Sequence, residues 1–192
     1  MDALEALHAR RSSGKLIAPA PTREQLAVIF DAAVAAPDHG KLRPWRFVVL
    51  DGVDKDAFGE VLLAGYLAAC AEQGTEPDPA RTAKERTKLG RAPMVIAVVA
   101  ERRESAKIPW TEQRDAVAAA TQNLLLACTA LEFGTMWRTG DVVENPTIRQ
   151  HLGLKEHDEI VAFVYVGSIP ADAPMPQPKA TSADSVSWWS PT

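Results

Sequence analysis

APDHGKLRPWRFVVL, from Ala36 to Leu50, is where a helical pattern gives way to a strand. Upstream, Leu26, Ile29, Phe30, Ala33 and Val34 recur at helical spacing, and Thr22 with Gln25 forms a capping box that opens this helix. Pro37, Asp38, Gly40 and Pro44 cannot continue it, and Phe47 to Leu50 is a short apolar run of strand type. The loop between them carries His39, Lys41 and Arg43. A basic loop feeding a buried strand suits an anionic or polar ligand, because loops carry recognition while the strand fixes their position. An ordinary connection with solvated charges is the alternative reading.

Towards the N-terminus, Asp2 is placed to cap a first helix with Leu4 and Leu7 on one face, running into Arg10, Arg11, Ser12 and Ser13 before Gly14 stops it. Adjacent helical residues point about 100° apart, so the two arginines cannot share one solvent direction and one is free to turn inward. Cations near a helix C-terminus also favour its dipole, which accounts for the pair without a ligand.

Downstream, Asp54 is the expected cap of a third helix that reaches Gln73 and ends at Gly74. Ala80 to Arg91 is polar and basic, the pattern of a solvated helix face. Met94 to Ala100 is a continuous run rich in valine, as expected of a strand buried on both faces. Glu112 to Glu132 is the longest and most apolar helical stretch, and such a helix is expected to be covered nearly all round, by a central position in the domain or by burial against a second subunit, of which the dimer interface is the preferred reading. A short strand, Thr135 to Thr139, carries Trp137 and Arg138 to Gly140. Asn145 and Pro146 open a short helix, and Ile160 to Gly167 is the last strand. From Pro170 the composition shifts to Pro, Ser, Ala and Thr, a tail either without fixed structure or packing on a partner through Trp188 and Trp189.

With 192 residues, a formal charge of −4 and no basic surplus, the chain reads as one domain without a nucleic-acid partner. Cys70 and Cys128 lie in apolar helical runs as reduced, buried thiols, no apolar leader precedes the first helix, and no stretch suits a membrane span. These features point to the cytoplasm. The four histidines have no metal-ligand spacing. Helices alternating with strands give an α/β (α+β) fold with a mixed sheet of about four strands. Dinucleotide-binding, nucleotide-phosphate and hydrolase-elbow signatures are absent.

Arg10-Arg11-Ser12, then Pro37-Asp38-His39 with Pro44-Trp45, then Trp137-Arg138-Thr139-Gly140, in this order and spacing, resemble the nitroreductase family, most closely its small members. The likeness runs from Met1 to about Pro170. It implies a three-layer sandwich over residues 1–170, a tail over 171–192, and a homodimer with FMN at the subunit interface. It also implies hydride transfer from NADH or NADPH through FMN to an electron-poor small molecule, nitroaromatic or quinone-like. The residues matching the family's flavin contacts are Arg10, Arg11, Ser12, Ala35, Trp137, Arg138 and Thr139, with His39 reaching the flavin from the second subunit. Ala127 to Glu132 matches the stretch near the nicotinamide cofactor. This chain has Ala35 where the small members carry arginine, Lys41 and Arg43 where Asn and Gln are common, and Thr139 in place of serine. A non-catalytic flavin-binding module and an oxygen-dependent flavin-cleaving enzyme are the alternatives.

The chemistry of the residues agrees with such a cofactor. Guanidinium groups and a small hydroxyl suit a phosphate monoester. A cation near the flavin's N1 and O2 favours its reduced form. A cofactor that carries the difficult step needs no protein nucleophile.

Overall fold

A computed structural model describes residues 1–105, 107–173, 182 and 185–190. Strand β2, Met94–Ala100, has every residue buried, so it occupies the middle of the sheet as its unbroken apolar run requires. It is flanked by β1, Trp45–Asp51, and β4, Glu159–Gly167, with β3, Gly134–Arg138, outside β4, giving the order β1-β2-β4-β3. All three strand pairings are antiparallel. The expected mixed sheet is corrected accordingly: the parallel pairing found among the described residues is an isolated bridge between Ser12 and Thr135 on the outer side of β3. Two helices, α3 (Gly52–Gln73) and α4 (Pro79–Thr87), lie between β1 and β2, so the chain re-enters in the opposite sense. The single helix α5, Trp110–Ala130, joins β2 to β3, which run the same way but are separated by β4.

Alternation along the strands divides the core into two layers. One face carries Ile96, Val98, Val164 and Val166 against Leu26, Ile29 and Ala33 of α2 (Arg23–Val34) and Val117, Leu124 and Cys128 of α5. The other carries Val95, Ala97, Phe163 and Tyr165 against Phe58 and Leu62 of α3, Leu89, and Ile148 of the short helix Pro146–His151. The result is the expected helix–sheet–helix sandwich. β1 is an edge strand and only half-buried over Trp45–Val49, which corrects its reading as a buried strand.

Element boundaries follow local chemistry. Asp2 and Glu5 form a capping box on α1, Ala3–Ala9, as Thr22 and Gln25 do on α2. α1 ends at Ala9 with Arg10 as its cap, well before Gly14, and Leu4 is 68% exposed, so its apolar face is not covered by its own chain. α3 begins one turn earlier than expected: Asp51 is its N-cap and Asp54 lies inside its first turn. Gly74 ends it in the left-handed conformation, φ 62°, that glycine adopts without strain. Asn145 caps its helix by accepting from the N–H groups of Thr147 and Ile148. Among the described residues no helix is long and apolar enough to cross a membrane, and no group of three or more His, Cys, Asp or Glu side chains is arranged to hold a metal ion.

Candidate active site

The residues of the first motif meet those of the third along the outer side of β3. Ser12 bridges Thr135, and the Ser13 N–H donates to the Thr135 carbonyl at 2.9 Å. This places Arg10 to Ser13 beside the strand that carries Trp137 and Arg138, although more than 120 residues separate them in sequence. The two arginines divide their roles. Arg11 turns back on α1, donating to the carbonyls of His8 and Arg10, the latter at 2.9 Å, and so caps carbonyls left open at the helix end. Arg10 is half-buried beside it, its backbone N–H donating to Ala6.

Period-two alternation sends Trp137 and Arg138 to opposite faces of the sheet. Trp137 packs on the α2/α5 layer. The Arg138 guanidinium lies over the Tyr165 ring, 5.6 Å from its centroid, on the α3 side. Thus Ser12 and Trp137 share a neighbourhood, whereas only the main chain of Arg138 does so. Thr139 follows the strand and is exposed. Thr135 Oγ1, next to the Ser12 bridge, is buried without a hydrogen-bond partner, so the wall here has unused polar capacity. Ala35 is the exposed C-cap of α2 and offers no side-chain donor. Asn123 of α5 donates to the neighbouring Ala32 carbonyl at 3.2 Å and ties that helix end to α5.

His39 lies elsewhere. It occupies a 3-10 turn, His39–Lys41, just ahead of β1, and its Nδ1 is 2.6 Å from Glu112 Oε2 at the start of α5. Asp38 shapes the loop by accepting the Arg43 N–H at 2.7 Å, and Gly40 has φ 73°, where an added Cβ would stand 2.2 Å from Ile108 Cδ1. Trp45 is level with Ala100, whereas Thr135, next to Ser12, is level with Val166 and through it with Met94, six residues along β2. His39 is tied to Glu112, whose neighbours Trp110 and Arg114 both bind Glu159 at the start of β4, level with Ala100. His39 and Ser12 therefore lie at opposite ends of the sheet, roughly 20 Å apart along the strands. Within one chain the two motifs therefore face opposite ends of the sheet.

The donor set fits a flavin mononucleotide in kind: Arg10 and the Ser12 hydroxyl for a phosphate, the half-buried Trp137 ring for an aromatic neighbour, and the exposed Thr139 hydroxyl, further along the chain, for another polar contact. Cys128 is not a redox candidate, because burial pushes its thiol up to about 12.

The model of the nitroreductase family matches residues 7–168, and the helix–sheet–helix sandwich built on a four-stranded antiparallel sheet agrees with nitroreductase-like solved structures. The chain belongs to this family, a family of oxidoreductases. It is 39% identical over 186 residues to "Putative NAD(P)H nitroreductase YdjA" of Escherichia coli K12, covering 97% of this chain and 94% of the relative. A protein described as a "Putative NAD(P)H nitroreductase" from Haemophilus influenzae is 39% identical over 169 residues, 88% of this chain and 89% of the other. Among solved structures, a nitroreductase-like family protein from Bacillus cereus superposes with a TM-score of 0.81 at 19% identity, over 98% of this chain and 96% of that one. NfnB from sphigopyxis sp. strain HMH, described as an FMN- and NADPH-dependent nitroreductase, gives a TM-score of 0.75 at 20% identity, over 99% of this chain and 100% of that one. These structures share the fold.

Proposed function

We propose that this chain is an FMN-dependent NAD(P)H oxidoreductase, working as a homodimer with one flavin at each of two equivalent sites between subunits. The observation that carries the reading is the separation of His39 from Ser12 along the strands: two motifs that match one ligand site lie at opposite ends of the sheet in one chain. A two-fold dimer brings the His39 corner of one copy to the Ser12 corner of the other and does so twice. Relatives named as NAD(P)H nitroreductases and an FMN-dependent structural neighbour support the cofactor assignment.

FMN, when bound, supplies hydride chemistry between a nicotinamide donor and an electron-poor acceptor, nitroaromatic or quinone-like. Arg10 would take the phosphate by charge-assisted hydrogen bonds, with the Ser12 hydroxyl beside it, and Thr139, about 13 Å further along the strand than Thr135, would meet another part of the ligand. Trp137 would bound the ring system from the α5 side and exclude water. His39, held by Glu112, would present its other ring nitrogen to the ligand of the partner subunit. The stretch Ala127 to Glu132 at the end of α5 would lie near the nicotinamide.

Positions left open by their own chain recur along α5: Asp115 is exposed, and Ala119, Gln122, Leu126 and Thr129 are half-exposed, a stripe at coiled-coil spacing. This supports contact with a second helix there. Anaerobic addition of NADH or NADPH should bleach the flavin absorbance, and a nitroarene or quinone should restore it. If neither nicotinamide bleaches it, the chain is a flavin-binding module without this activity. Consumption of the flavin ring itself on readmission of oxygen would indicate the cleaving enzyme.

A further inference from the structure

On the α3/α4 side of the sheet, away from Trp137, lies a cavity of about 580 Å³ lined by Arg81, Lys84, Lys88, Arg91 and Arg138, with Glu85 and Tyr165. Its size is that of a small-molecule site. Five cations meet one carboxylate there, and the carboxylate is already engaged. Glu85, only 5% exposed, receives Lys88 Nζ at 2.8 and 3.0 Å and faces Arg81 Nε at 3.7 Å. Arg81 also binds Asp141 at 2.9 Å. Lys84, Arg91 and Arg138 have no carboxylate partner among the described residues. α4 brings in Lys84, the 3-10 turn Lys88–Arg91 brings in Arg91, and β3 brings in Arg138. The buried Tyr165 ring forms part of the wall under Arg138, and burial raises its hydroxyl pKa while Arg138 and Arg91 oppose that shift.

We propose that this cavity is an anion site that receives a phosphate monoester carried by a small molecule, separate from the phosphate position at Arg10 and Ser12. Two guanidinium groups and an ammonium without counter-charges match a dianionic phosphate better than a carboxylate. Glu85 fixes the positions of Lys88 and Arg81 and leaves the other three cations to the ligand. Under the functional reading above, on which the ligand's identity rests but the site does not, the phosphate monoester at hand besides that of FMN is the 2′-phosphate of NADPH.

The test uses the purified full chain and the double variant Lys84→Gln/Arg91→Gln, both changes at exposed side chains. Calorimetric titration with adenosine 2′-monophosphate, with adenosine as control, reads the site without any flavin chemistry. The expected result is binding by the wild type, weakened at least tenfold in the double variant, with unchanged FMN and riboflavin affinities and a KM raised for NADPH but not for NADH. Loss of FMN affinity with riboflavin binding intact would assign the cavity to the flavin phosphate and overturn its separateness. No binding of adenosine 2′-monophosphate to the wild type, or equal binding by the double variant, would overturn the site itself. Failure of flavin reduction with adenosine 2′-monophosphate still bound would refute the oxidoreductase reading and leave the anion site standing.

Discussion

His39 Nδ1 and Glu112 Oε2 are 2.6 Å apart, joining the loop before β1 to the first turn of α5 across 73 residues of sequence. Glu112 accepts only if Nδ1 carries a proton, so the carboxylate fixes which ring nitrogen faces outward. Both side chains are roughly half exposed or more, and the pair adds little to stability. Its consequence is orientation. Glu112→Ala is expected to leave thermal stability nearly unchanged and to weaken FMN binding about 3- to 10-fold, with Glu112→Gln restoring most of it. Flavin-fluorescence titration checks the affinities, and an equal loss in Glu112→Gln and Glu112→Ala would show that orientation is not its role.

Arg10 and Arg11 separate cleanly by substitution. A charge-assisted hydrogen bond contributes about 1.5–3 kcal/mol, so Arg10→Ala should weaken FMN binding roughly 10- to 150-fold and leave riboflavin nearly unaffected. Arg11→Ala, which removes the hydrogen bonds to the His8 and Arg10 carbonyls, should instead cost about 0.5–1.5 kcal/mol of stability. Parallel titrations of FMN and riboflavin, with urea unfolding of both variants, check the division.

Much of this fold is legible in the sequence because burial leaves a periodic trace. The run Met94 to Ala100 is readable as a central strand, and the capping boxes at Asp2 and Thr22 mark their helices. Strand direction is not legible in the same way: helical crossovers suggest parallel neighbours, but the α3–α4 pair returns the chain antiparallel. Nor does an apolar run such as Phe47 to Leu50 reveal that it lies at an edge, since that depends on which strand is placed beside it. Arg138 could have been separated from Trp137 by alternation alone, because neighbours on a strand face opposite ways. The Glu112 partner of His39 leaves no local signal at all. The anion cavity was visible only as a basic stretch from Ala80 to Arg91, and its convergence with Arg138 is a product of the tertiary fold.

Cys128 makes stability depend on pH in a defined window. Its folded-state pKa is raised to about 12 by burial, whereas an unfolded cysteine titrates near pH 8.5. The folded state therefore holds the proton where the unfolded state has lost it. The contribution is fully present below about pH 8.5 and is lost at up to ~1.4 kcal/mol per pH unit as pH rises towards about 12. Urea unfolding between pH 8 and 10 should show a steeper loss for the wild type than for Cys128→Ala. Parallel slopes would exclude the thiol as the cause.

Association should govern flavin retention. With Leu4 exposed on α1 and a stripe of open positions along α5, the chain should sediment as a dimer, and dilution should release flavin as it separates the copies. Analytical ultracentrifugation detected at the flavin absorbance checks this, and a flavin-bearing monomer would contradict it.

Each flavin site, on the proposed reading, takes Arg10 from one copy and His39 from the other. Copies bearing only Arg10→Ala and copies bearing only His39→Ala should each bind FMN weakly in pure form. Unfolded together and refolded as a mixture, they form hybrid dimers in which one site has lost both residues and the other has both intact. Fluorescence titration of the mixture should then reveal a class of sites with wild-type FMN affinity, about one for every hybrid dimer. A titration equal to the sum of the two parent curves, with no tight class, would contradict a site shared between subunits.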